Sequence, residues 1–181
     1  MLESPAQRNL FLIMRDDADI VGDSEHYIAE LHIDDASLPA ASVEMQHERR
    51  VAIFDLLEDN AFRPLKSTGG PYALKLSLLD GQRLIFKVDL LDGTSEGQYS
   101  LSMAPMRRII KDYFMICESY HNAIRTATSA QIEAIDMGRR GLHNEGSRML
   151  TDSLRNQVEI GFNTSRRLFT LICALHRRQG V

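Results

Sequence analysis

Apolar and polar or small residues alternate through Tyr72, Leu74, Leu76 and Leu78, and again through Leu84, Phe86, Val88 and Leu90, with Asp80-Gly81 between the two runs. A period of two on either side of an Asp-Gly pair predicts a β-hairpin with one face covered. After the loop at residues 92–97, Tyr99, Leu101 and Met103 resume the alternation and predict a third strand of a meander. Upstream, Leu31 and Ile33 on one face and His32 on the other predict a short strand over 28–33.

The other segments follow a helical period. Ser42 is placed to cap a helix running to about Asn60, with Val51, Phe54 and Leu57 recurring at helical spacing beside Ile53 and Leu56. Pro64 and Gly69-Gly70 close that unit. Pro105 suits a first helical position, and Met106, Ile109, Ile110, Tyr113, Cys117, Tyr120 and Ile124 mark one face through about Arg125. Thr128 and Gln131 form the sequence of a capping box for a second helix that turns Ile132, Ile135 and Leu142 inward, extended by Met149, Leu150 and Leu154 if it survives Gly146. Asn163 or Thr164 is expected to cap a last, central helix carrying Leu168, Phe169, Leu171, Ile172 and Leu175. The expected architecture is α+β: an N-terminal helix and an antiparallel β-meander packed against a C-terminal group of three or more helices. Residues 28–181 form a single domain in this reading, and 1–27, with an apolar patch at 10–14 inside polar and acidic sequence, form a tail or edge segment.

Composition adds limits. The chain has 181 residues, 44% hydrophobic and 25% charged, which suits one soluble domain. Neither a membrane span nor a secretory signal is evident, so a cytoplasmic protein is expected. Cys117 and Cys173 sit in apolar helical patterns without CxxC spacing and read as reduced, structural thiols. The net charge of −4 divides into −9 over residues 1–103 and +5 over 104–181. That asymmetry allows an anionic ligand near the C-terminal half, while the acidic whole argues against nucleic acid as a partner.

The densest chemistry lies between Ile135 and Ser147, where three glycines share thirteen positions with ionisable side chains. On one continuous helix Asp136, Arg140, His143 and Ser147 fall within about 60° around the axis. Arg140, with Arg139, Asn144 and Ser147, can then hold an anion. His143, whose ring titrates near neutral pH, can move a proton or accept a phosphoryl group, oriented by Asp136 or Glu145. The bland alternative is a salt-bridged helix face, with Asp136 and Arg140 as an i,i+4 pair. The pairs Arg107-Arg108 and Arg166-Arg167 both fall near predicted helix starts, where the macrodipole disfavours a cation unless an anion is bound there. Against that, Arg108 has Asp112 four residues on, and arginine stems can simply cover apolar surface. The six histidines show no HxH or HExxH spacing, so no metal is expected. No GxGxxG, Walker, GxSxG or CxxC motif points to a cofactor or a common catalytic class.

Four segments carry a resemblance: HERRVAIFDLLEDN from His47, RRIIKDYFMICESY from Arg107, IEAIDMGRRGLHNEGS from Ile132 and RRLFTLICALH from Arg166. Over these the chain resembles the uncharacterised bacterial protein family numbered 0262 in the UPF series, most closely from residue 47 onward and least over 1–27. The resemblance implies a small cytoplasmic protein of alphaproteobacterial type. It implies no activity and no functional residues.

Three classes of function remain open on this reading. The first is a binding or regulatory protein that recognises an anionic small molecule or docks a protein partner through the Arg140 and His143 region. The second is an enzyme with His143 as general acid/base or phosphoryl acceptor and Arg140 stabilising negative charge. The third is a structural homo-oligomer built on the last two apolar helical segments.

Overall fold

The computed structural model describes residues 25–176. The first strand, β1 (Ile28–Ile33), leads through a 3-10 turn into helix α1 (Val43–Glu58), whose start is fixed by Ser42 accepting a hydrogen bond from the Met45 N–H at 3.2 Å. Asn60 then ties the end of α1 back to the sheet. Its Oδ1 accepts from the Ile28 N–H at 2.7 Å, and its Nδ2 donates to the carbonyls of Ile28 and Leu56 at 3.0 and 3.1 Å.

The short strand β2 (Phe62–Pro64) precedes β3 (Tyr72–Leu79), β4 (Arg83–Leu90) and β5 (Ser95–Ser102), which form the expected antiparallel meander. Asp80 and Gly81 have φ of 53° and 64°, the left-handed backbone that a tight hairpin turn requires. Strand β1 joins the other edge parallel to β3, so the four-stranded sheet is mixed, in the order β1-β3-β4-β5. Its covered face carries Tyr72, Leu74, Leu76, Leu84, Phe86 and Val88, all fully buried.

Three helices follow: α2 (Met106–Thr126), α3 (Ser129–Leu154) and α4 (Phe162–His176), with strand β6 (Val158–Ile160) between the last two pairing antiparallel with β2. The β2–β6 ladder was not expected, because three-residue strands are too short to show a period. The Thr128–Gln131 capping box is formed. Helix α3 runs unbroken through all its glycines. A Cβ on Gly138 would lie 2.9 Å from Ile116 Cδ1, and one on Gly146 would lie 2.2 Å from Phe169 Cζ, so these two let α2 and α4 approach. Gly141 has nothing within 4 Å of that position.

Several expectations are corrected. The buried face of α1 is Met45, Arg49, Ala52 and Leu56; of the expected positions Leu56 is buried and Ile53 and Leu57 pack against the core, but Phe54 and Val51 are 66% and 45% exposed. That face packs against α4. On α2 the stripe ends early: Ile124 is exposed. Helix α4 begins at Phe162, so neither Asn163 nor Thr164 caps it; Thr164 Oγ1 accepts instead from the Ala61 N–H at 2.8 Å. The apolar residues of α4 lie in the protein's own core. The apolar patch at 10–14, and any strand it adds, lie outside the described residues. Among the described residues no helix is long and apolar enough to cross a membrane.

Candidate functional site

The unbroken α3 carries Asp136, Arg140, His143 and Ser147 along one side, but burial divides them. Asp136 sits half-buried and accepts from Arg139 at 3.0 and 2.7 Å, while its other oxygen pairs with Arg140 at 2.7 Å. The arginines hold the Asp136 carboxyl below its ordinary range, the hydrogen bond from Arg139 contributing most. Arg140 projects into solvent with 68% of its side chain exposed, and Arg139 stacks 5.2 Å from the centre of the Tyr120 ring. This end of the stripe is a salt-bridged helix face.

One turn further on, His143 is buried against two aromatic rings. The ring centres of Tyr113 on α2 and Phe169 on α4 each lie 5.3 Å from its own, both edge-on. Its Nε2 is 2.9 Å from Thr170 Oγ1, and the Thr170 hydroxyl donates to the Arg166 carbonyl at 3.1 Å. With that hydroxyl hydrogen committed, the Nε2–H must donate to Thr170, which leaves the lone pair on Nδ1. That Nδ1 is buried and has no partner among the described residues. Burial first, and then the charges of Arg166 and Arg139, push the imidazole down to about 4. At neutral pH the ring is therefore uncharged.

The other expected residues are placed as follows. Ser147 is fully buried and spends its hydroxyl on the His143 carbonyl at 2.7 Å, an ordinary helical back-bond. Glu145 is exposed, and with Asp136 held by two arginines it is Thr170 that orients the imidazole. Asn144 is half-buried and its Oδ1 has no partner among the described residues. The same holds for Arg166 Nε, which is buried although the residue as a whole is half-buried. Arg167 pairs with Asp59 through its carbonyl and, at 3.3 Å, its carboxylate. Arg107 donates to the Gly81 carbonyl at 3.5 Å, and Arg108 reaches Asp112 at 3.8 Å.

The protein thus brings His143 and Arg166 together, with Asn144 adjacent along α3, while Arg107, Arg108, Arg140 and Arg167 each engage a different partner. Arg107 and Arg108 lie in the first turn of α2 as expected, but Arg166 and Arg167 lie in the second turn of α4, because that helix starts at Phe162. The dipole argument therefore applies to the first pair only. Thr170, Tyr113 and Phe169 were not anticipated, since nothing local in the sequence marks residues that meet only through helix packing. Among the described residues no group of three or more His, Cys, Asp or Glu side chains could hold a metal ion.

Comparison with known proteins places this arrangement in context. The Uncharacterised protein family (UPF0262) matches residues 25–178. A UPF0262 protein of Mesorhizobium japonicum is 57% identical over 145 residues, covering 80% of this chain and 89% of its own. UPF0262 proteins of Brucella anthropi and Rhizobium meliloti are 56% and 55% identical, each again over 80% of this chain and 90% of theirs. No solved structure matches the chain. With the match running from the first strand through the last helix, the chain belongs to the UPF0262 family.

Proposed function

We propose that this chain is a cytoplasmic, non-enzymatic binding protein that takes a small oxyanion bearing a proton at the seam between α3 and α4. The observation that carries the reading is the buried, unpartnered Nε of Arg166 beside a buried neutral His143 whose Nδ1 is also unpartnered. A buried polar group left unpaired costs about 1–3 kcal/mol, more when charged. A hydrogenphosphate or a hydroxycarboxylate has the complementary chemistry. Its negative oxygen accepts from Arg166, and its hydroxyl donates to His143 Nδ1 or Asn144 Oδ1.

Binding is favoured over catalysis because a base titrating at about 4 is a weak proton acceptor at neutral pH. Phosphoryl transfer to His143 is disfavoured too, with Nε2 engaged by Thr170 and the ring sealed under Tyr113 and Phe169. Thermal shift with inorganic phosphate and with lactate tests the reading. The wild type and Arg140→Ala gain more stability with one of them than Arg166→Gln does; absence of any shift in the wild type, or equal shifts in all three, sinks the proposal. Phosphorylation of His143 by a small phosphodonor, read by mass spectrometry, would instead support the enzyme.

Self-association is a second reading, favoured by large apolar side chains left exposed on α2 and α3: Met115 at 57%, Ile124 at 54% and Met137 at 68%. Native mass spectrometry at dilute concentration checks it, a monomer counting against it.

A further inference from the structure

Arg49 is the buried arginine in the middle of the α1 stripe, 5% exposed. Its Nε lies 3.5 Å from the Ala174 carbonyl in the last turn of α4, and its Nη1 lies 3.5 Å from Asp35 Oδ1, a carboxylate whose side chain is 82% exposed. Its Nη2 is buried without a partner among the described residues. A cation at a helix C-terminus is an ordinary stabilising arrangement, and the Nε contact satisfies it. That leaves Nη2 unexplained, since a buried guanidinium is normally matched by a well-placed carboxylate.

His176, in the same last turn of α4, presents a second unmatched group. Its Nδ1 is 2.8 Å from the Ile172 carbonyl and so carries the hydrogen, while its buried Nε2 has no partner among the described residues. Burial most strongly, opposed by the hydrogen bond to the Ile172 carbonyl and aided by the charges of Arg107 and Arg49, holds the ring below its ordinary titration range. Arg107 sits in the first turn of α2, where no acidic residue and no side-chain cap offsets the positive helix end. Arg49 and His176 thus both bring an unmatched buried nitrogen to the last turn of α4, within the field of Arg107, and the carboxylate beside Arg49, Asp35, stands largely in solvent.

We infer that Arg49, His176 and Arg107 form an anion site, separate from the α3–α4 seam, that takes a compact oxyanion, either inorganic phosphate or a small carboxylate. The oxyanion accepts from Arg49 Nη2 and, once the ring takes up a proton, from His176 Nε2, while Arg107 supplies charge from the rim. No residue is shared with the seam around His143 and Arg166, so each site can fail alone.

Calorimetric titration of the full chain with inorganic phosphate, and separately with acetate, tests the inference and distinguishes the two ligand classes. Arg166→Gln, which disables the seam, still binds one of these anions, and the following variants are made on that background. Arg49→Gln weakens that binding at least about tenfold, the loss of a charge-assisted pair, and Arg107→Ala and His176→Gln weaken it severalfold. If Arg49→Gln fails to fold, the other two variants carry the test, Arg107 being a surface residue. Failure of both anions to bind the wild type overturns the inference. So does binding that persists undiminished in the three variants, or that Arg166→Gln by itself abolishes.

Discussion

Gly146 and Gly141 lie less than two turns apart on α3 and do opposite things. The fully buried Phe169 ring occupies the space a Cβ on Gly146 would need, so Gly146→Ala must displace a core aromatic, at a cost of about 1–3 kcal/mol or more. Nothing approaches Gly141, and Gly141→Ala should stabilise by up to about 1 kcal/mol through helix propensity alone. Urea denaturation of the two variants measures both; equal effects of the same sign would refute this account of the glycines. His143 gives a prediction with a direction in pH. Its folded value of about 4 lies below the ordinary 6.5, so its contribution is fully present above pH 6.5 and is lost as pH falls toward 4. The shift corresponds to about 3 kcal/mol across that window. Stability measured between those pH values should fall in the wild type and fall less steeply in His143→Gln; parallel slopes would contradict the burial of a neutral ring.

Helix α1 shows how an element can be legible while its orientation is not. Ser42 announced the start, but the buried stripe contains Arg49, and a search for apolar spacing turns toward Phe54 and Val51 instead. Leu56→Ala should therefore cost about 2–5 kcal/mol, as for a fully buried leucine, whereas Phe54→Ala should cost well under 1 kcal/mol. Thermal denaturation of the pair checks the assigned face, and the reverse ranking would overturn it. The β-hairpin was legible because eight-residue strands display their period and Asp80-Gly81 specifies the turn. Strands β2 and β6 were not, since their pairing joins residues about a hundred positions apart.

At the scale of the whole molecule, the α+β architecture followed from local periods, but the parallel pairing of β1 with β3 did not, because register between distant strands is set by packing. The candidate site was legible in part for the same reason. His143, Asn144 and Arg166 stood out as residue types, and sequence spacing gave prominence to Arg140, which the fold sends into solvent. Thr170, Tyr113 and Phe169, which bury and orient His143, come from two other helices. The central claim is that the α3–α4 seam holds a protonated oxyanion through Arg166. Calorimetric titration with hydrogenphosphate at neutral pH tests it most directly, comparing Arg49→Gln, which weakens the other anion site, with the same chain carrying Arg140→Ala or Arg166→Gln in addition. Saturable binding that survives Arg140→Ala and disappears with Arg166→Gln is the predicted result; no binding, or binding indifferent to Arg166, would contradict it.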